Sequence, residues 1–310
     1  MANILVTGGA GFIGSHLVDA LIDQKHNVII IDNLVTGQEK NINEQVFFYQ
    51  LDIKDKDIKD IFKQYQFDYV FHLAAQINLR KSVEDPVFDA QANILGSLNL
   101  LENCKHFKIK KIIFSSTGGA LYGDAEIIPT PETYLARPIS PYGVAKLTIE
   151  NYLHYYQQIH GLNYTVLRYA NVYGPRQNSL AEAGVVSIFI TKILDNQQPI
   201  INGDGKQTRD YVYVADVVKA NLLAMQNQDF GVYNVATAIE TDVNQIFNLI
   251  ANNFTDKQII EEHGPAMTGE QKTSCLDISK IDSELGWTPQ VHLEQGIKNT
   301  VEWFRDDINE

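Results

Sequence analysis

Cysteine is nearly missing: 310 residues hold two, Cys104 and Cys275. They match no metal-ligand spacing and no disulfide framework, so no metal site is expected and a reducing cytoplasm is the expected compartment. Positive charge is also short. Lysine and arginine total 25 against 38 aspartates and glutamates, a formal net charge of −13. An acidic surface repels nucleic acid and membrane surfaces, so neither is expected as a partner. Arginine is scarce, with six in the chain, and three of them (Arg168, Arg176, Arg209) fall in one segment. An anionic substrate would need a local basic clamp, and that segment is the place for one. No apolar run is long enough to cross a membrane. The N-terminus enters a strand directly, without the basic and then apolar stretch of a secretion signal. Repeats and low-complexity linkers are absent.

What is present is ordinary for a globular enzyme: 45% hydrophobic residues and 20% charged, in a chain long enough for two domains. Short β-branched and aromatic runs alternate with helical stretches. Residues 3–7, 28–32, 46–50, 69–73, 111–115 and 164–168 read as strands, nearly continuous in apolar residues, as buried parallel strands are. The expected fold is α/β, a Rossmann-type doubly wound parallel sheet with a second, smaller α/β domain. The pattern turns irregular after Asn171. Residues 211–225 and 232–236 are expected to return to the large sheet. The boundaries drawn are 1–170 plus 211–238 for the dinucleotide unit and 171–210 plus 239–310 for the substrate unit.

Thr7-Gly8-Gly9-Ala10-Gly11-Phe12-Ile13-Gly14 joins the first strand to the first helix. It satisfies G-x-G-x-x-G from Gly9 and G-x-x-G-x-x-G from Gly8. Glycine permits a tight turn and close approach to a pyrophosphate, which the helix N-terminus attracts. A bare turn would look the same, but Asp32 ends the second strand, where a carboxylate can accept from both adenosine ribose hydroxyls. It would also repel the extra phosphate of NADP, so NAD is the expected cofactor. Asp52, after the third strand, meets the adenine amino group or simply caps a strand end.

Tyr142 and Lys146 lie one helical turn apart on one face. Fifteen tyrosines give roughly one such pair by chance. Position gives this one its meaning: it follows the helix-start dipeptide Ser140-Pro141 and comes after a strand ending Ser115-Ser116-Thr117.

TGGAGFIG, Asp32-Asn33, HLAAQ at 72–76, SST at 115–117, SPYGVAK at 140–146, LRYANVYGPRQ at 167–177 and GDGKQTRDYVYVADV at 203–217 resemble the extended short-chain dehydrogenase/reductases. Within that family the chain most resembles the UDP-hexose 4-epimerases, over essentially its whole length. The resemblance implies an NAD site formed by Gly8, Gly11, Phe12, Ile13, Gly14, Asp32, Asn33, Thr36, Gly37, Asp52 and Ile53. Leu73, Ala74, Ala75, Gln76, Asn93, Ser115, Tyr142, Lys146 and Tyr169 would complete it. It implies a homodimer joined through helices that include the one bearing Tyr142. It also implies that Tyr142 takes the proton of the sugar's 4-hydroxyl as hydride leaves carbon 4. A tyrosine titrates near pH ~10, and the Lys146 ammonium and the nicotinamide cation would favour phenolate. Thr117, or Ser116 in the neighbouring register, would hydrogen-bond the same hydroxyl. The 4-keto sugar then rotates and takes hydride back. Dehydratases of the family carry an acidic pair after the threonine, where Gly118 and Gly119 stand here. Decarboxylases carry a glutamate near the same place, also missing, and a reductase that releases its cofactor would more often prefer NADP, against Asp32. These favour an epimerase, with another NAD-dependent sugar-nucleotide enzyme (such as a UDP-glucuronate epimerase) or a non-catalytic dinucleotide sensor as the alternatives.

For the substrate, the resemblance assigns Asn171 and Arg209 to the diphosphate, a task for which a forked guanidinium is suited; a surface ion pair with Asp210 is the plain alternative for Arg209. Val185 and Val186 would line the nucleotide side and Pro199 to Asn202 the uracil. Relatives carry arginine where this chain has Met267, two residues before Gly269-Glu270, with Lys272 as a substitute. Ser274 falls where relatives border carbon 2 of the sugar, and a small residue there leaves room for an acetamido group; a serine merely packed on a strand is the plain alternative.

Overall fold

The apolar runs fold as strands covered on both faces. In the computed structural model, which describes residues 1–178, 184–255, 257–266 and 271–309, they are β1 (Asn3–Thr7), β2 (Asn27–Asp32), β3 (Phe47–Gln50), β4 (Tyr69–His72), β5 (Lys111–Thr117) and β6 (Tyr164–Tyr169). Five short strands follow: β7 (Asn171–Tyr173), β8 (Ile201–Asn202), β9 (Thr208–Arg209), β10 (Tyr211–Tyr213) and, longer, β11 (Gly231–Val235). The last three are β12 (Thr241–Asp242), β13 (His263–Gly264) and β14 (Thr273–Ser274). The main sheet has seven strands in the order β3-β2-β1-β4-β5-β6-β11. Every pairing in it is parallel. The order reverses between β1 and β4, and ligands of doubly wound sheets bind beyond the strand ends at that point.

The helices are α1 (Phe12–Asp23), α2 (Ile58–Tyr65), α3 (Leu79–Glu84), α4 (Pro86–Ala90), α5 (Gly96–His106), α6 (Pro141–His160), α7 (Val185–Leu194), α8 (Val214–Gln226), α9 (Val243–Ala251), α10 (Ser279–Leu285) and α11 (Leu293–Asn309). Leu17, Val18 and Leu21 of α1 and Val217, Ala220 and Ala224 of α8 cover one face of the sheet. Ile58 and Phe62 of α2, Leu100 and Cys104 of α5, and Ile149 and Leu153 of α6 cover the other. Each of the valine, leucine, isoleucine and phenylalanine side chains contributes about 1.5–3 kcal/mol on burial. A third cluster joins Tyr173, Phe189, Ile190, Ile246, Phe247 and Val301.

Two expectations need correction. Tyr211–Tyr213 does not enter the main sheet; β10 pairs with β7 in a separate two-stranded ribbon. Of the expected returning segments only the second contributes a strand, β11, while α8 packs on α1. The boundary at 239 is also too simple. Ile281 and Trp287 lie in the main-sheet core, and Trp287 Nε1 donates to Asp216 O at 3.0 Å. No helix among the described residues is long and apolar enough to cross a membrane.

Candidate active site

The glycine loop is shaped by what it must pass. Gly8 has φ +74°, and a Cβ on it would lie 2.7 Å from Ala74 N, two residues past the end of β4. A Cβ on Gly14 would come within 2.1 Å of Gly8 O, so glycine lets α1 sit against the loop. Gly11 caps α1, and no side chain bonds that helix start. Phe12 is buried and Ile13 packs against the core, so what these two offer a ligand is main-chain N–H. The cradle fits a pyrophosphate.

Asp32 closes the same crevice. Its carboxylate is buried and accepts from Ala10 N at 3.0 Å and Leu34 N at 2.9 Å. Burial pushes its pKa up, against those two hydrogen bonds. A Cβ on Gly37 would stand 2.9 Å from its Oδ1, so the Thr36-Gly37 turn folds over the carboxylate. Asn33 Nδ2 donates to Asp52 Oδ2 at 3.0 Å, and Asp52 Oδ1 accepts from Lys54 N at 2.9 Å. These bonds make Asp52 a cap of the chain just after β3. Ile53 packs where a Gly96 side chain would be.

Across the crevice the segment Leu73, Ala74, Ala75 and Gln76 is held by residues that motif reading passed over. Ser97 Oγ donates to Asn93 O, so it must accept from His72 Nε2–H, 2.8 Å away. His72 Nδ1 then accepts from the Thr7 hydroxyl at 2.8 Å, whose oxygen accepts from Ala74 N at 3.3 Å. Burial pulls the His72 pKa down to about 3, which keeps the ring neutral. Asn93, expected at the cofactor, is buried with its amide bonded to both main-chain groups of Gln76 and to Asp89. It braces Gln76 and has little left to offer a ligand. The Tyr169 hydroxyl is likewise buried, 3.0 Å from Ser115 Oγ and 2.8 Å from Asn221 Nδ2.

The catalytic candidates meet at the end of β5. Ser140 Oγ caps α6 by accepting from Gly143 N at 3.2 Å, and Pro141 opens the helix. A Cβ on Gly143 would lie 2.4 Å from Ala120 O, so glycine brings the first turn of α6, with Tyr142, against the turn after Thr117. Lys146 is buried and donates from Nζ to Ser115 O at 2.8 Å. The ammonium lies 4.7 Å from the centre of the Phe114 ring and 5.8 Å from that of Tyr142. Burial lowers its pKa to about 8, while the carboxylates of Asp89 and Glu150 work in the other direction.

Strand alternation separates the two candidate hydroxyls. Ser116 points away from Ser115 and Thr117, is buried, and donates to Glu150 Oε1 at 2.6 Å. Thr117 is half-buried and accepts from Ala120 N at 3.2 Å. Glu150 also receives Arg168, whose Nη2 is 2.6 Å from Oε2. Arg168 is therefore a buried structural cation, and Arg176 pairs with Asp19 at 2.7 Å. Arg209 is half-buried on β9, and its Nη1 donates to Thr208 O at 2.8 Å. Its neighbour Asp210 faces the opposite way, into the core.

Arg209 pairs with Ser274 in the β9–β14 ladder. A Cβ built on Gly119 would be 3.9 Å from Asn171 Oδ1 and 4.0 Å from Ser274 Oγ, so these three share one wall. Val185 is half-buried at the start of α7, whereas the Val186 side chain is 1% exposed inside the third core cluster. Asn202 is exposed on β8. Met267, Gly269 and Glu270 lie outside the described residues.

A glycine cradle and a buried carboxylate at the switch point, with a Tyr–Lys turn against the next strand but one, define a Rossmann-type enzyme of the short-chain dehydrogenase/reductase class. The chain belongs, more narrowly, to the NAD dependent epimerase/dehydratase family, which it matches over residues 4–236, and it is an NAD-dependent enzyme. It is 48% identical to a putative UDP-glucose 4-epimerase of Methanocaldococcus jannaschii, over 98% of this chain and 99% of that one. The crystal structure of UDP-glucose 4-epimerase from Thermotoga maritima with UDP-glucose superimposes with a TM-score of 0.96 at 50% identity, covering 99% of both chains. The UDP-N-acetylglucosamine 4-epimerase of Methanobrevibacter ruminantium, in complex with UDP-N-acetylmuramic acid, gives 0.93 at 40% identity over 99% of each chain.

Asp32 supplies a first test. Asp32→Ala is expected to weaken NAD binding and narrow the preference for NAD over NADP, because it removes both the ribose acceptor and the charge that repels a 2′-phosphate. Titration of the two cofactors measures this; equal affinity of the unsubstituted protein for both would sink the assignment.

Proposed function

We propose that the protein inverts carbon 4 of a UDP-hexose, interconverting UDP-glucose with UDP-galactose and UDP-N-acetylglucosamine with UDP-N-acetylgalactosamine. The observation that carries this is the Tyr142–Lys146 turn against the end of β5 in a chain alike end to end to 4-epimerases. Tyr142 takes the proton of the 4-hydroxyl, and Thr117 holds that hydroxyl. Lys146 favours the phenolate and holds the nicotinamide ribose. NAD, when bound, takes up hydride from carbon 4 and returns it. Asn171 and Arg209 hold the diphosphate, and Ser274 borders carbon 2.

The packing at Gly118 supports epimerisation over elimination of water. A Cβ there would fall 2.3 Å from Leu276 Cδ1, so Leu276 packs where a side chain at 118 would begin, and neither 118 nor 119 carries an acid. Elimination needs such an acid and a base.

The working form we infer is a cytoplasmic homodimer. Val83, Val87, Leu95, Ile139, Val144 and Tyr155 are exposed around α6. A groove of about 470 Å³ runs between the Pro86–Ala90 helix and the start of α6. Exposed apolar surface of this kind marks association. The unit built on the main sheet, to which Ile281 and Trp287 also belong, then holds the cofactor, and the unit around α7, α9 and α11 holds the sugar nucleotide.

The function is tested by incubating the purified protein with UDP-glucose, UDP-N-acetylglucosamine or UDP-glucuronate and reading products by proton NMR. Inversion at carbon 4 without added cofactor is expected; no inversion of any of the three overturns the proposal. In the same assay Ser274→Tyr should abolish turnover of UDP-N-acetylglucosamine and spare UDP-glucose. An aromatic ring forced into an occupied pocket costs about 1–3 kcal/mol or more. If the unsubstituted protein turns over UDP-glucose and never the acetylated sugar, the size argument fails while the epimerase reading stands.

A further inference from the structure

Asp210 carries a charge that the chemistry of the pocket does not ask for. It directly follows Arg209, is 0% exposed, and has no ion-pair partner among the described residues. A lone carboxylate beside an arginine that grips a diphosphate opposes anion binding. Burial makes the charge costlier still, pushing its pKa up.

Its hydrogen bonds account for it. Oδ1 accepts from Thr237 N at 2.8 Å and from the Thr237 hydroxyl at 2.7 Å. Oδ2 accepts from Ala238 N at 2.9 Å and Leu276 N at 3.4 Å, with Cys275 Sγ at 3.6 Å. The main-chain oxygen of Asp210 accepts from Asn171 N at 2.9 Å. The segments reached are those on either side of Arg209: β9 lies between β12, which follows Thr237-Ala238, and β14, which precedes Cys275-Leu276. One side chain thus staples both neighbours of the arginine strand, and its backbone fixes Asn171. Three of these partners are main-chain N–H groups and can only donate, and they are shared between the two oxygens, an arrangement that suits an ionised carboxylate.

We propose that Asp210 is a positioning residue for the sugar nucleotide: its buried carboxylate fixes Arg209, Asn171 and Ser274 relative to one another. This rests on the reading of those three residues as the substrate pocket. Asp210→Asn separates geometry from charge because the two act with opposite sign. Loss of the negative charge alone would tighten anion binding. The amide instead turns an NH₂ group toward N–H donors in either orientation and loosens both flanking strands.

The test is calorimetric titration of the NAD-containing protein with UDP, beside steady-state kinetics. Asp210→Asn is expected to weaken UDP about tenfold, the scale of an unsatisfied buried donor. KM for the sugar nucleotide should rise in step, with NAD content unchanged and kcat within about threefold. General loss of structure would lower NAD content and kcat together, so the split between KM and kcat is the signature. Thr237→Val, which removes one hydroxyl, should act in the same direction at about threefold, and it decides the matter alone if Asp210→Asn does not fold. UDP binding as tight as in the unsubstituted protein, in whichever of the two variants folds, overturns the proposal. Arg209→Ala keeps the two readings apart. If it leaves UDP affinity unchanged, the pocket itself is misassigned; if it weakens UDP while Asp210→Asn does not, only the role of Asp210 falls.

Discussion

Tyr142→Phe is expected to lower kcat by about 100- to 10,000-fold, the range that a positioned proton acceptor supplies. NAD content and thermal stability should stay as they are. The substitution removes one oxygen and keeps a half-buried ring at the start of α6. The Ser140 cap, the contact of Gly143 with Ala120 and the bond from Lys146 to Ser115 all survive it. Hydride cannot leave carbon 4 while its hydroxyl keeps the proton, so the loss belongs to kcat and kcat/KM together, not to KM. Isotope-labelled turnover and bound-NAD absorbance measure the two halves. Near-normal turnover in the phenylalanine variant would mean that another group takes the proton.

The parts of this enzyme that repeat or stand in short local patterns were readable from residues alone. Runs such as Val28–Asp32 are short and β-branched, which reads as buried strand, and Ser140-Pro141 announces the start of α6. The glycine loop needs its glycines because of backbone contacts that any such turn makes. What stayed hidden depends on partners distant in the chain. Strands of two residues, such as β9 and β14, have no period to read. Arg168 and Arg176 look like anion ligands until Glu150 and Asp19 are seen beside them. Asn93 and Tyr169 sit one layer behind the cofactor wall, where their polar groups are already bonded. His72 stands in a motif, yet its tautomer follows from Thr7 and Ser97, 65 and 25 residues away in the chain, and its neutrality from burial. The choice between Ser116 and Thr117 likewise needed Glu150, one helical turn beyond Lys146.

Lys146→Met is expected to lower turnover at least about 100-fold, to weaken NAD, and yet to leave the fold as stable as before or more so at pH 7. Lys146 lies fully inside the protein, and burial brings its pKa from 10.5 to about 8. Below pH 8 folded and unfolded chains both carry the proton, and the folded one bears the full cost of a desolvated ammonium. Between pH 8 and 10.5 the unfolded chain holds a proton that the folded chain has released, so the unsubstituted protein gains stability as pH rises through that window. Methionine has nearly the same length and no charge, and exchanging a buried ion for an apolar side chain is often neutral to stabilising by about 1–4 kcal/mol. The advantage of the variant should therefore be largest below pH 8 and shrink toward pH 10.5. Asp89 and Glu150 limit its size: both are left without the ammonium, though Gln76 and Asn93 still bond the first and Arg168 the second. Thermal melts from pH 6 to pH 10 on both proteins decide the matter. A variant less stable at every pH, by an amount that does not change, would mean that the ammonium holds the fold together, and that its cost is not carried for the sake of the chemistry at Tyr142.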